Sequence, residues 1–163
     1  MIIKEIVKRR SVREYKSDMV SDEKINEVIK AAQFAPTAHN KRAVEFMVIK
    51  EQKTKDAIFE IVGQEYIKQA PALIIPIATA QAALPIPDLS IASDHIFLQA
   101  TALGLGTVWK NVPPEQAEKV KEILGVPADF QMINIIPLGF FAQESAGHSD
   151  EEFSQEKIHQ EKW

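Results

Sequence analysis

At 163 residues, 45% hydrophobic and 26% charged, the chain has the size and make-up of one ordinary folded domain, too short for separate cofactor and substrate domains. A net charge of -4 argues against broad attraction to nucleic acid or anionic membranes, so any anion site must be local. With no cysteine there are no disulfides, thiolate metal sites or cysteine nucleophile, which suits a cytoplasmic setting.

Residues 1–8 mix Lys4, Glu5 and Lys8 among apolar residues, unlike a signal peptide, and no apolar run is long enough to cross a bilayer. The segment reads as a short apolar helix leading into an arginine cluster. Ile25, Val28, Ile29 and Ala32 fall at helical spacing behind Ser21, a natural cap, which predicts a helix to about Phe34, stopped before Pro36. The loose alternation over Val44–Ile49 predicts a half-buried strand, and Ala57, Ile58, Ile61 and Val62 predict a helix over 55–62.

The almost wholly apolar run 71–79 predicts a strand buried on both faces, although Pro76 counts against a ladder interior. Residues 84–87, with two prolines, read as a connection. Residues 88–103 follow as a helix whose apolar surface is wide enough to run through the middle of the fold, ended by Gly104 and Gly106. After a short segment at 107–109 come a helix from Pro114 to its stop at Gly125, a strand over 132–138, and a polar tail over 149–163. There is no internal repeat, and the element order indicates an α+β or mixed α/β layer structure.

Three constellations can carry chemistry. Arg9, Arg10, Ser11 and Arg13 put three guanidiniums and a hydroxyl within five positions, a set that matches phosphate oxygens bidentately or else forms a solvated basic turn. The loop Ala35-Pro36-Thr37-Ala38-His39-Asn40 combines small residues, which let a planar ring approach the backbone, with the polar groups of Thr37 and Asn40; taken alone it is also an ordinary turn. Gly104-Leu105-Gly106-Thr107-Val108-Trp109 begins like a dinucleotide loop but fails as one, because Trp109 holds the last glycine position and the glycines follow a helix. The four histidines are scattered without metal-site spacing, and His95 reads as a helix residue with a satisfied ring. No GxSxG elbow, GxxxxGK[ST] loop or HExxH helix is present.

In this order and spacing, Arg9-Arg10-Ser11-Val12-Arg13, the Ala35 to Asn40 loop, Ala70-Pro71-Ala72, Leu103-Gly104-Leu105-Gly106-Thr107-Val108-Trp109 and the closing Ile158-His159 to Trp163 resemble the nitroreductase-like flavoprotein family across nearly the whole chain. The resemblance implies an α+β fold with a central, mostly antiparallel sheet flanked by helices. It also implies an intertwined homodimer with FMN bound at each of two interface sites, and electrons supplied by NADH or NADPH. Carried over by position, Arg9, Arg10, Ser11 and Arg13 hold the phosphate. Pro36, Thr37, Ala38 and Asn40 come from the other subunit to line the flavin ring. Gln64 is a weaker candidate for the pyrimidine edge, and Val108, Trp109 and Lys110 pass close to the isoalloxazine.

One departure concerns the phosphate. Many relatives bring a further arginine or lysine from near the carboxyl end, but here no Lys or Arg lies between Phe140 and Glu156, so either His148 substitutes or the amino-terminal cluster acts alone. The tail, with Phe153, Ile158 and Trp163 as its apolar residues, either wraps the partner or frays.

The implied activity moves electrons from NAD(P)H through flavin to a planar, electron-poor small-molecule acceptor such as a nitroaromatic or quinone. His39, Trp109, Lys110 and Asn111 are candidates for shaping its pocket, and no catalytic side chain is assigned. The alternatives are a relative acting on enones, halogenated aromatics or flavin itself, and a flavin-binding homodimer without turnover.

Overall fold

Burial on both faces of one strand organises the fold. In the computed structural model, which describes residues 1–163, strand β2 (Ala72–Thr79) lies inside a six-stranded antiparallel sheet with β1 (Val44–Ile49), β3 (Gly106–Thr107), β4 (Lys110–Asn111), β5 (Phe130–Gln131) and β6 (Asn134–Gly139). The order is β1-β2-β6-β3, with β4 also pairing β6 and β5 pairing β2. Because side chains alternate along a strand, Ala72 and Ile74 enter one core with α2 (Asp22–Gln33) and α5 (Pro85–Ala102). Leu73, Ile75 and Ile77 enter the other, with α3 (Gln52–Val62), α4 (Glu65–Gln69) and α6 (Pro114–Leu124). Helices thus cover both faces of the sheet, the expected α+β architecture.

Pro76 is accommodated by a gap in the ladder. Opposite β1 it pairs with Phe46, while on its other side β6 covers only Ala72 to Ile74 and β5 only Ala78 and Thr79. Pro76 therefore has a paired strand on one side only, a place where a residue without an N–H is tolerated.

Ser21 caps α2, its Oγ accepting from Lys24 N at 3.4 Å, and Gly125 closes α6 at φ 66°. Four boundaries differ from the sequence reading. Residues 84–87 are not a connection: Leu84 caps α5 and Pro85 begins it, where the missing N–H costs nothing. Helix α3 starts at Gln52, three residues earlier than the apolar spacing indicates. The strand read from Met132 begins two residues later, at Asn134 in β6, and the short β5 ahead of it, which pairs with a different part of β2, was not read. Helix α4 was not read, having only one buried residue, Ile67.

Helix α5 runs against α2 and the sheet and buries six residues. Its wide apolar surface is not used up there: Ile86 and Ile91 stay exposed, as do Phe34 at the end of α2 and Ile2, Ile3 and Ile6 in and before α1 (Lys4–Lys8). No helix is long and apolar enough to cross a membrane.

Candidate functional site

The arginine cluster leaves α1 in extended backbone and is laid against β3. Val12 N donates to Thr107 O at 2.9 Å, and Ser11 bridges Thr107 in parallel. The arm continues along the exit of β6, with Lys16 N donating to Phe140 O at 2.8 Å and Ala142 N to Glu14 O at 3.0 Å. Tyr15 braces the turn from inside, its hydroxyl donating to Val12 O at 2.7 Å. The approach of arm to strand depends on Gly106, where a Cβ would lie 2.7 Å from Val12 Cγ2. The first and third sequence constellations therefore meet. Between them opens a cleft of about 400 Å³, bordered by Lys8, Arg10 and Val12, by Thr101 and residues 104–106, and by Phe141, residues 143–145 and Gly147.

The three arginines are not equivalent. Arg9, half-buried, and Arg13, exposed, enter no hydrogen bond or ion pair with the protein, so their forks are free. Arg10 is engaged by the carboxyl-terminal segment: Nε donates to Ala146 O at 2.8 Å, and Nη2 to Gly147 O at 2.7 Å and to Glu152 Oε1 at 3.2 Å. Its Nη1 donors have no protein partner. His148, the suggested replacement for the missing base, puts Nδ1 2.6 Å from Glu152 Oε2. That bond, with the Ser149 amide and the Arg10 charge behind it, holds the Glu152 carboxyl below its usual pKa. Backbone ties complete the strap, since His148 N donates to Val7 O at 2.7 Å and a Cβ on Gly147 would sit 2.8 Å from that same oxygen. Arg13 acts on two half-buried phenols. Burial raises the phenol pKa of both Tyr15 and Tyr66, and the charge of Arg13 opposes it at each.

The second constellation sits elsewhere in the chain. Residues 38–40 form a single 3₁₀ turn, and His39, Asn40 and Arg42 take left-handed φ of 54°, 53° and 51°. Thr37 Oγ1 accepts from Arg42 N at 2.9 Å, and Asp88 Oδ1, from the first turn of α5, accepts from Ala38 N at 2.9 Å. Thr37 and Arg42 border a separate cavity of about 180 Å³ with Phe34 and Val44. Pro36, Thr37, Ala38 and Asn40 contribute nothing to the larger cleft.

Of the remaining candidates, Val108 is buried, while Trp109 is 36% exposed with its ring 6.2 Å from that of Phe97. Lys110 donates from Nζ to Asn111 O at 2.8 Å, and burial lowers its pKa. Gln64 is exposed and caps α4 without a side-chain bond. His95 is satisfied as expected, its Nδ1 3.0 Å from Ala31 O. Sequence reasoning did not single out Asp88, Tyr15 or Glu152; their partners lie 50, 3 and 142 residues away, and no local motif marks them.

The model of the Nitroreductase family matches residues 6–70 and 62–140. A protein of Archaeoglobus fulgidus, provisionally named NADH dehydrogenase/NAD(P)H nitroreductase, is 31% identical over 99% of this chain and 98% of its own. An FMN reductase [NAD(P)H] of Bacillus subtilis is 26% identical over 89% of this chain and 68% of its own. Among solved structures, an FMN-dependent nitroreductase from Clostridium difficile superposes with a TM-score of 0.93 at 31% identity, covering 99% of this chain and all of the other.

Proposed function

The chain belongs to the nitroreductase family, and on that footing we propose that it is an FMN-dependent oxidoreductase carrying electrons from NADH or NADPH to a planar, electron-poor acceptor such as a nitroaromatic or quinone. The observation that carries the reading is the pair of unpartnered guanidiniums, Arg9 and Arg13, on the arm whose Arg10 and Val12 border the cleft beside residues 104–106, in a chain whose net charge is negative.

The donor set fits a phosphate monoester. Arg9, Arg13, the free Nη1 of Arg10 and the Ser11 hydroxyl offer charge-assisted and neutral hydrogen bonds from one short stretch. When bound, FMN supplies the redox chemistry, taking hydride from a reduced nicotinamide and returning electrons to the acceptor. The residues of the chain bind and orient it. Arg9, Arg10, Arg13 and Ser11 hold the phosphate, and Val108, Trp109 and Lys110 border the ring, with Gln64 toward its pyrimidine edge. Pro36, Thr37, Ala38 and Asn40 reach the ring from a second copy, since in one chain they stand apart from the cleft.

The exposed apolar residues Ile2, Ile3, Ile6, Phe34 and Ile91 support a homodimer, in which a partner would cover side chains that one chain leaves open to water. The whole chain then forms one FMN-binding domain, and residues 149–163, with Phe153, Ile158 and Trp163 all exposed, dock on the partner.

With both substrates using one stacking surface, the chain should turn over by alternation. Initial rates at varied NADH or NADPH and varied acceptor are expected to give parallel double-reciprocal lines. Intersecting lines would mean that donor and acceptor are held together, contrary to a shared surface.

A further inference from the structure

We infer that Asp88 is a positioning residue for the flavin, its buried carboxylate fixing the 36–42 loop in the shape that faces the ring; this rests on the flavin reading above.

The carboxylate is 3% exposed and has no cationic partner within ion-pair distance. Burial of such a group is unfavourable unless hydrogen bonds and local dipoles compensate. Position supplies part of the compensation, since Asp88 lies in the first turn of α5, where the positive end of the helix favours an anion. Nor is the side chain consumed in capping its own helix. Pro85 and Pro87 have no N–H, and the Asp88 amide itself donates to Leu84 O at 3.1 Å. Oδ1 is therefore free to accept from Ala38 N at 2.9 Å, 50 residues away.

The loop it reaches needs holding. Three non-glycine residues within four positions, His39, Asn40 and Arg42, take left-handed backbone. Such conformations persist only where the surroundings over-determine them, and they gather at functional sites. Inside the loop, Asn40 N donates to Thr37 O at 2.9 Å and Thr37 Oγ1 accepts from Arg42 N at 2.9 Å, so it is closed on itself. The bond from Ala38 N to Asp88 is the one hydrogen bond that ties residues 36–42 to another element. Closure sets the shape of the loop; Asp88 sets its place on the long central helix. A site whose lining is fixed before the ligand arrives loses less freedom on binding.

The test compares full-length Asp88→Ala and Asp88→Asn with the unaltered protein, reading FMN affinity by fluorescence quenching, the midpoint potential of bound flavin, and folding by circular dichroism. Asp88→Ala is expected to stay folded, to weaken FMN binding about 5- to 10-fold, in keeping with one lost hydrogen bond, and to shift the potential. Asp88→Asn, which keeps an acceptor oxygen in place, should restore most of both. Wild-type affinity and potential in Asp88→Ala, alongside weakened binding in Arg9→Ala, would overturn the role of Asp88 and leave the flavin reading intact. If the unaltered chain takes up no FMN, the flavin reading falls and the inference with it. A measurement on the unaltered chain covers the case in which Asp88→Ala fails to fold. The Ala38 amide should be protected from hydrogen exchange both without and with FMN, and exchange at the rate of a free loop amide would contradict the inference.

Discussion

Arg9→Ala is expected to raise the Kd for FMN by about 10- to 150-fold while leaving circular dichroism and thermal midpoint where they are. The magnitude is that of one charge-assisted phosphate contact, roughly 1.5 to 3 kcal/mol at about 1.4 kcal/mol per tenfold. The unchanged fold follows from the structure, in which the Arg9 guanidinium enters no hydrogen bond or ion pair that its removal could break. Arg10→Ala is the less informative variant. It would also release Ala146, Gly147 and Glu152, so lost affinity would mix phosphate contact with a loosened strap. Arg9→Lys should fall between, keeping the charge and losing the planar fork. Equilibrium titration with FMN at two salt concentrations checks all three, since a phosphate contact weakens as salt rises.

Gly106→Ala should damage the same site from behind. The new Cβ would lie 2.7 to 2.8 Å from Val12 Cβ, Cγ1 and Cγ2. A valine side chain has one stiff χ1 and cannot swing aside. The arm must move, stretching the Val12 N to Thr107 O bond, breaking the Ser11 bridge and shifting Arg10 and Val12 at the edge of the cleft. A loss of about 1 to 3 kcal/mol in stability is expected from overpacking, together with weaker FMN binding. The double variant Gly106→Ala/Val12→Ala relieves the clash and should recover affinity relative to Gly106→Ala alone. Chemical denaturation and FMN titration of the three proteins test this. Equal affinity in the single and double variants would show that the arm does not set the site.

Elements that announce themselves locally were legible in the sequence: Val44–Ile49 by its alternation and branched residues, Asp22–Gln33 by Ser21 and its spacing, Pro114–Leu124 by Pro114 and Gly125. Prolines misled at residues 84–87, where they open a helix instead of interrupting one, because the first turn needs no N–H from them. β5 was not legible, because its two residues, Phe130 and Gln131, are too few to show a period and are defined by pairing with Ala78 and Thr79 some 50 residues earlier.

The site shows the same divide. Its parts stood in the sequence as motifs, and the fold sets Ser11 and Val12 of the first against Thr107 of the third. The engagement of Arg10 by Glu152 and of Ala38 by Asp88 depends on contacts 142 and 50 residues apart, which periodicity and spacing cannot encode. The missing carboxyl-terminal base acquires a physical setting as well. The segment that would have carried it is strapped to Val7 and Arg10, and His148 is turned toward Glu152.

The most direct test of the account is anaerobic. The purified chain, loaded with FMN and mixed with NADH or NADPH in the absence of oxygen, should lose its yellow absorbance within the time of turnover and regain it when a quinone or nitroaromatic is added. A protein that binds FMN but never bleaches would be a flavin-binding module without turnover, and a chain that cannot be loaded with FMN would contradict the account at its root.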